Sequence, residues 1–245
     1  MIVQHTPPMG WNTWNTFAEK INEQLILECA DVMVESGLRD AGYQYLVIDD
    51  TWTEQRRDKN HHLIPDLEKF PNGIKPIADY LHQRGLKLGI YSCVGSMTCT
   101  KHPGSYEHEF IDAADFAAWG VDFLKYDYCF KPADESGALL YRRMGVALEL
   151  SGRDILYSAC SWGADDTKAW IQTTGAHTWR STLGSPSKRL PTSSVSFKPI
   201  TVRAVSTIWI CWSLECTARV TSDSRGVLLN STAHTFHCGR CWDRP

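Results

Sequence analysis

Polar side chains stand at the carboxyl ends of several apolar segments of this 245-residue sequence; they are Asp49, Asp50, Tyr91, Asp127 and Cys160, with Lys125 two residues before Asp127. A carboxylate at the end of a buried strand costs desolvation energy unless it is paired or used. One partner for Asp127 is Lys125, since residues two apart lie on the same face of a strand. Trp14 and Trp52 stand at the same predicted level. Aromatic rings beside carboxylates suit a sugar site, because rings stack on pyranoses and carboxylates bind hydroxyls or attack an anomeric carbon.

Metal binding is the competing chemistry for two adjacent aspartates, since Mg²⁺ and Zn²⁺ both accept carboxylate ligands. No convincing histidine pair stands near a strand end, and His61–His62 lies in a polar loop that we interpret as solvated surface. Neither GxGxxG after the first strand nor GxxxxGK[ST] occurs, which gives nucleotide binding no support. We therefore expect no cofactor and no metal. A metal-dependent hydrolase using Asp49 and Asp50 stays open as a minor alternative.

Strand-like and helix-like segments alternate over the first three quarters of the chain. The predicted strands are 9–14, 43–50, 86–92, 121–128, 155–160 and 177–181, and the predicted helices are 23–37, 74–84, 108–119 and 134–151. Glycine stands at or just past each helix end, as expected for a C-terminal cap. Successive strand ends are about 32 to 42 residues apart, the period of repeated βα units.

The polar strand ends favour one arrangement of these units. In a barrel all carboxyl ends meet at one mouth, where active sites are built, whereas an open sheet uses mainly its switch point. We therefore predict an α/β fold, a (β/α)8 TIM barrel that is incomplete in this chain, with about six βα units recognisable over residues 1–182.

Composition narrows the functional class. Hydrophobic residues make up 43% and charged residues 22%, and the net charge is −3. These values predict a packed core and give no reason to expect a nucleic-acid or membrane partner. The start of the sequence has no signal-peptide pattern, so localisation stays unassigned.

Six ordered motifs resemble the retaining α-galactosidase and α-N-acetylgalactosaminidase family of glycoside hydrolases. They are "PPMGWNTWN", "YLVIDDTW", "GIYS", "CTKHPGSYEHE", "WGVDFLKYDYC" and "YSACSWG", and the match covers about residues 5–182. The resemblance implies galactoside substrates. Members of this family are often secreted or lysosomal and include homo-oligomers, but the oligomeric state of this chain stays unknown.

The resemblance also implies residue roles. Asp127 matches the nucleophile that forms a glycosyl-enzyme, and Lys125 matches the lysine that binds the sugar and keeps that nucleophile ionised. The remaining matches are to substrate-binding residues: Trp14 as the platform, Asp49 and Asp50 for the 4- and 6-hydroxyls, Tyr91 beside the reacting centre, Cys160, and Trp179 with Arg180 for the 2-substituent. Cys99 and Cys129 match a family disulfide.

Two small residues bear on specificity. Many family α-galactosidases have Cys-Glu-Trp where this chain has Cys160, Ser161 and Trp162, and the N-acetylgalactosaminidases have serine there with alanine three positions on. Ser161 and Ala164 fit the second pattern and leave room for an acetamido group. We expect an α-galactosidase first, with α-N-acetylgalactosaminidase as the close alternative.

The family resemblance ends near residue 182. The family's acid/base aspartate follows the Trp-Arg motif, but Leu183, Gly184 and Ser185 stand at the matching place. Residues 183–245 hold 8 Lys or Arg against 3 Asp or Glu. They also show no βα period. The "CGRC" at 238–241 and the "NST" at 230–232 are weak signals for a metal site and a glycosylation site.

A shifted reading frame accounts for this tail. With permitted synonymous codons, residues 204–221 re-read in another frame as "CFNDMDMLVVGMYGKGN", which resembles the family's strand 7. We therefore expect residues 1–182 to be the N-terminal part of a catalytic barrel and 183–245 to be an aberrant tail with no reliable domain. As written the chain lacks the acid/base residue, which predicts an inactive enzyme or a sugar-binding barrel without catalysis.

Overall fold

A computed structural model describes residues 8–179 and the backbone of 206–207, 221–223 and 226–228. The sheet is parallel and its strands follow in chain order, β1 Gly10–Asn12, β2 Tyr45–Val47, β3 Lys87–Cys93, β4 Phe123–Asp127, β5 Leu156–Cys160, β6 Thr178–Trp179 and β7 Ser206–Thr207. A separate antiparallel pair joins β8 Thr221–Asp223 to β9 Gly226–Leu228. Six consecutive parallel strands over residues 10–179 form half of a barrel, which confirms the predicted incomplete (β/α)8 fold.

Helices connect the strands as the sequence predicts. They are α1 Trp14–Phe17, α2 Glu23–Glu35, α3 Lys75–Gln83, α4 Glu109–Ala118, α5 Gly137–Leu150 and α6 Thr167–Trp170, with 3₁₀ turns at Ala164–Asp166 and Ile171–Thr173. Asn22 caps α2 by accepting the Leu25 N–H at 2.9 Å, which satisfies one of the free donors of the first turn. Gly37 follows that helix at φ +77°, a left-handed conformation that glycine adopts without steric cost.

The alternation of side chains along the strands separates two apolar layers. Outward residues such as Leu88, Leu124 and Tyr126 pack against the helices in the main core. Inward residues form a second cluster at the amino ends of the strands, made of Tyr45, Val47, Phe123 and Leu156. This inner layer closes the bottom of the half-barrel, so the polar residues above it lie at the carboxyl ends.

Gly89 shows how tightly the inner layer is packed. A Cβ at this position would lie 2.6 Å from Val47 Cγ2 and 3.1 Å from Phe123 Cδ1. The absence of a side chain therefore lets the neighbouring strands bring their large residues together.

Among the described residues, no helix combines the length and apolar character needed to cross a bilayer.

Most predicted boundaries agree with the structure to within two or three residues. Two local differences concern the predicted mouth. Trp14 begins a short helix instead of ending β1, and Asp49 and Asp50 follow β2 by two and three residues. Predicted strand 121–128 is confirmed at its centre by β4.

Candidate active site

Strand register brings the inward polar residues into two rows. Tyr91, Lys125 and Ser158 are paired across β3, β4 and β5, and the next inward row holds Cys93, Asp127 and Cys160. All of these side chains are buried at the carboxyl ends. Asp127 therefore lies in the middle of three strands, with one cysteine on each side.

Asp127 is held by two donors. Its Oδ1 accepts the Tyr128 N–H at 2.9 Å, and its Oδ2 accepts the Tyr91 hydroxyl at 3.3 Å. Burial raises the pKa of the Asp127 carboxyl, against the opposing attraction of Lys125 and these two hydrogen bonds. The carboxylate is thus oriented by two donors and largely removed from water.

Lys125 pairs with Asp49 and not with Asp127. Its Nζ donates to Asp49 Oδ2 at 2.6 Å and lies 5.0 Å from the centroid of the Tyr91 ring. Burial acts to lower the pKa of Lys125, but the carboxylate of Asp49 and the neighbouring Cys160 and Asp127 raise it above its ordinary value. The Lys125–Asp127 ion pair considered from the sequence is therefore wrong, because the ammonium group bonds the carboxylate of Asp49, two residues after β2.

Asp49 and Asp50 are fixed by backbone N–H groups and by the side chains of Asn12 and Lys125. Asp49 Oδ2 also accepts the Asn12 amide at 2.6 Å, and Asp49 Oδ1 accepts the Asp50 N–H at 2.9 Å. Asp50 accepts the N–H groups of Thr51 at 2.8 Å and Thr100 at 3.1 Å. Every carboxylate oxygen of this pair has a protein donor. Asp49 Oδ2 accepts two donors, from Asn12 and Lys125, whereas Asp49 Oδ1 and both oxygens of Asp50 accept one each and keep a lone pair for a further donor.

One group of three potential metal ligands occurs in the described part of the chain, and it consists of Cys99, Asp127 and Cys129. Its two sulfurs form a disulfide with a Cα–Cα distance of 5.2 Å. Neither sulfur is therefore available as a thiolate ligand. The predicted disulfide is confirmed, and it ties the loop after β3 to the end of β4, two residues past Asp127.

Reduction of this disulfide is expected to destabilise the chain by about 3 kcal/mol, since the bridge closes a loop across a sequence separation of 30 residues. Urea unfolding with and without reductant measures this loss. The variant with Cys99→Ser and Cys129→Ser should match the reduced protein and should not respond to reductant. A response in that variant would show that another cysteine carries the effect.

The other predicted site residues occupy more varied positions. Trp14 is half-buried, and its backbone N–H donates to Asn12 Oδ1 at 2.9 Å. Trp179 is half-buried on β6 and packs against the main core. Arg180, Leu183, Gly184 and Ser185 lie outside the described residues.

Ser161 and Ala164 follow β5. The Ser161 side chain is fully buried and its hydroxyl bonds the Thr167 hydroxyl at 2.6 Å. Ala164 is half-buried at the start of the next turn. The Ser161 hydroxyl is therefore engaged inside the protein.

Trp52 does not lie at the mouth as expected from the sequence. It is buried, its ring makes edge contacts with Phe116 and Trp119, and its Nε1–H donates to the Tyr91 carbonyl at 2.9 Å. The helix-facing core uses this tryptophan because its ring and its N–H are both satisfied there. Asp122 precedes β4 at the opposite end, where its carboxylate accepts hydrogen bonds from the Leu88 N–H and the Arg153 guanidinium, a structural role.

Sequence reasoning missed Asn12 and Thr13. Asn12 donates to Asp49, and the Thr13 hydroxyl accepts the Asp49 N–H at 3.1 Å. Both lie in the "PPMGWNTWN" segment, directly before Trp14. A polar pair at the end of β1 was the available signal, since the ends of parallel strands meet at one edge.

The fold and this site define a parallel α/β barrel whose mouth is lined with carboxylates. A family model described as alpha galactosidase A matches residues 6–178. The chain is 52% identical to alpha-galactosidase 3 of Arabidopsis thaliana over 181 residues, which is 72% of the chain and 40% of that relative. The alpha-galactosidase of Cyamopsis tetragonoloba is 50% identical over 178 residues, 72% of the chain and 43% of that relative. The chain belongs to the α-galactosidase family of glycoside hydrolases.

Solved structures agree with this placement. Alpha-galactosidase I from Mortierella vinacea gives a TM-score of 0.68 at 45% identity, over 71% of this chain and 45% of that one. A Saccharomyces cerevisiae α-galactosidase with raffinose gives a TM-score of 0.68 at 42% identity, over 71% and 39%. The chain thus spans about two fifths of the length of the relatives it matches.

Proposed function

We propose that residues 8–179 bear the nucleophile and the galactose-binding half of a retaining α-galactosidase. The observation that carries this proposal is the position of Asp127, a buried carboxylate oriented by Tyr91 and Tyr128 beside the Lys125–Asp49 pair. Family membership supports the same role for Asp127.

In the proposed first step, a carboxylate oxygen of Asp127 attacks the anomeric carbon and forms an ester while the bond to the leaving group breaks. Tyr91 and the Tyr128 N–H hold the carboxylate at the correct angle. Asp49, through Oδ1, and Asp50 accept the 4- and 6-hydroxyls with the lone pairs that their protein donors leave free. Lys125 donates to a ring hydroxyl, and Trp14 stacks on the apolar face of the sugar.

The second carboxyl group of a retaining pair is missing from the sequence at 183–185. Without a general acid, glycosides with poor leaving groups react slowly, and without a general base the ester is hydrolysed slowly. We infer that the chain as written is a weak hydrolase that accumulates its glycosyl-enzyme. The coding DNA around codon 183 tests the shifted frame, which requires that another frame encode Asn-Asp-Met-Asp-Met.

Incubation with α-galactosyl fluoride tests the proposed nucleophile, since fluoride leaves without protonation. Intact-mass spectrometry should show one added galactosyl group, and peptide mapping should place it on Asp127. Labelling should persist in EDTA, which the metal-dependent alternative does not allow. If galactose binds in calorimetry but no label forms, the chain is the sugar-binding barrel without catalysis.

The small pair Ser161 and Ala164 supports a second candidate, an α-N-acetylgalactosaminidase. We expect N-acetylgalactosamine and galactose to bind with similar affinity, because no large side chain stands at 161. Ser161→Glu should weaken the binding of N-acetylgalactosamine about tenfold or more and leave the binding of galactose nearly unchanged. Calorimetric titration with both sugars measures this, and a parent chain that binds galactose alone would reject the second candidate.

A further inference from the structure

We propose that His61 and His108, which the candidate active site does not use, form a binding site for one transition-metal ion on the surface of the half-barrel. His61 lies in the loop after β2 and His108 immediately precedes α4. Their facing nitrogens, His61 Nδ1 and His108 Nε2, are 3.4 Å apart, and the ring centroids are 5.4 Å apart. The loop that the sequence marks only as polar surface is thus brought against a second histidine by the fold.

The nitrogen separation fits a tetrahedral metal. Zinc–nitrogen bonds of about 2.0–2.1 Å at a tetrahedral angle place two ligand nitrogens roughly 3.3–3.4 Å apart. The observed separation of 3.4 Å falls on this value, so both imidazoles can bind one ion with small ring rotations and no backbone movement. Water supplies the remaining ligands at this exposed position.

The tautomer of His108 also fits. Its Nδ1 lies 2.8 Å from the Tyr106 carbonyl oxygen, which accepts only from Nδ1–H. The neutral ring therefore presents the lone pair of Nε2 toward His61. A backbone carbonyl holding the far N–H of a histidine is the usual support of a metal ligand. In the metal-free protein His61 Nδ1–H donates to this lone pair, and the ion replaces that proton as His61 takes the other tautomer.

The loop that carries His61 is anchored. Arg57 donates to the His61 carbonyl at 2.7 Å and forms a two-bond ion pair with Asp112 of α4. The Arg57 charge is neutralised by this pair, and Asp58 lies in the same loop. His62 turns to Asp115, with 2.8 Å between Nδ1 and Oδ2, and so takes no part in the pair. Imidazole ligands favour Zn²⁺, Ni²⁺ and Cu²⁺ over Ca²⁺ or Mg²⁺.

Calorimetric titration with ZnCl₂ tests the site on the full chain carrying Cys238→Ser and Cys241→Ser, which removes the CxxC sulfurs as competitors. One ion should bind, and saturating Zn²⁺ should raise the melting temperature because it links the loop to α4. His61→Gln and His108→Gln should each weaken binding at least tenfold. His62→Gln is the matched control and should bind Zn²⁺ as the parent does. CaCl₂ is the control ion, and Ca²⁺ should not bind to the parent or to any variant.

Far-UV circular dichroism confirms that each variant is folded, which glutamine on an exposed loop should allow. A Cu²⁺ electron paramagnetic resonance spectrum gives a second readout, with two imidazole nitrogens expected in the parent and one in either variant. Unchanged Zn²⁺ affinity in His108→Gln, or an equal loss in His62→Gln, would overturn the proposal.

Discussion

Asp127→Asn is expected to abolish labelling by α-galactosyl fluoride and at the same time to raise the melting temperature at pH 7. Asparagine keeps the shape of the side chain but has no charged oxygen to attack the anomeric carbon, so the ester cannot form. Asp134→Asn is the control, because Asp134 is exposed on the loop after β4. It should label like the parent chain. Labelling that survives in Asp127→Asn would assign the nucleophile to another residue.

The stability effect follows from the pKa of Asp127. Burial raises the pKa of Asp127 above its ordinary value of 3.8, so the folded chain holds this proton more tightly than the unfolded chain. Stability therefore falls as the pH rises from 3.8 through the folded pKa, and the ionised carboxylate destabilises the fold above it. Asp127→Asn removes this cost, while Lys125 keeps its partner Asp49.

Melting curves at several pH values measure this effect. The variant should be more stable than the parent at pH 7, on the order of 1 kcal/mol as for other active-site replacements, and the difference should vanish near pH 3. A variant that melts lower at pH 7 would mean that the hydrogen bonds to Asp127 outweigh its desolvation. The labelling prediction is independent of that outcome.

Arg57→Ala should cost about 3–5 kcal/mol in the free energy of unfolding. The Arg57 guanidinium bonds both oxygens of Asp112, at 2.6 and 2.8 Å, and the Asp112 side chain is 0% exposed. Desolvation raises the pKa of Asp112, and Arg57 opposes this shift. Removing the arginine leaves a buried carboxylate without its cation, and it also removes the donors to the His61 and Gly104 carbonyls.

Two comparisons isolate the mechanism. Lys75→Ala breaks the exposed Lys75–Asp79 pair on α3 and should cost at most about 0.5 kcal/mol. Combining Arg57→Met with Asp112→Leu removes both charges and should recover much of the loss. Urea unfolding measures all three, and an Arg57→Ala cost as small as that of Lys75→Ala would show that Asp112 is not dependent on its partner.

Local signals in the sequence were sufficient for the half-barrel and for the list of candidate residues. Apolar segments, helix-ending glycines and the regular spacing of strand ends depend on neighbours close in the chain, and these predicted strands β1 to β6 and all four long helices. The family motifs added the disulfide between Cys99 and Cys129. The prediction that an acid/base aspartate is missing at 183–185 likewise depends on the sequence alone.

Only the tertiary structure decided which of these residues meet. Lys125 could pair with Asp127 on its own strand, yet it bonds Asp49 across the sheet, because inward side chains at the carboxyl ends of a half-barrel converge on one mouth. Trp52 lies in the core instead of at the mouth, and Asn12 contributes a hydrogen bond to the site. Contacts such as His61 with His108 join residues 47 apart. No local pattern encodes them, since they depend on how separate loops are placed by the packed core.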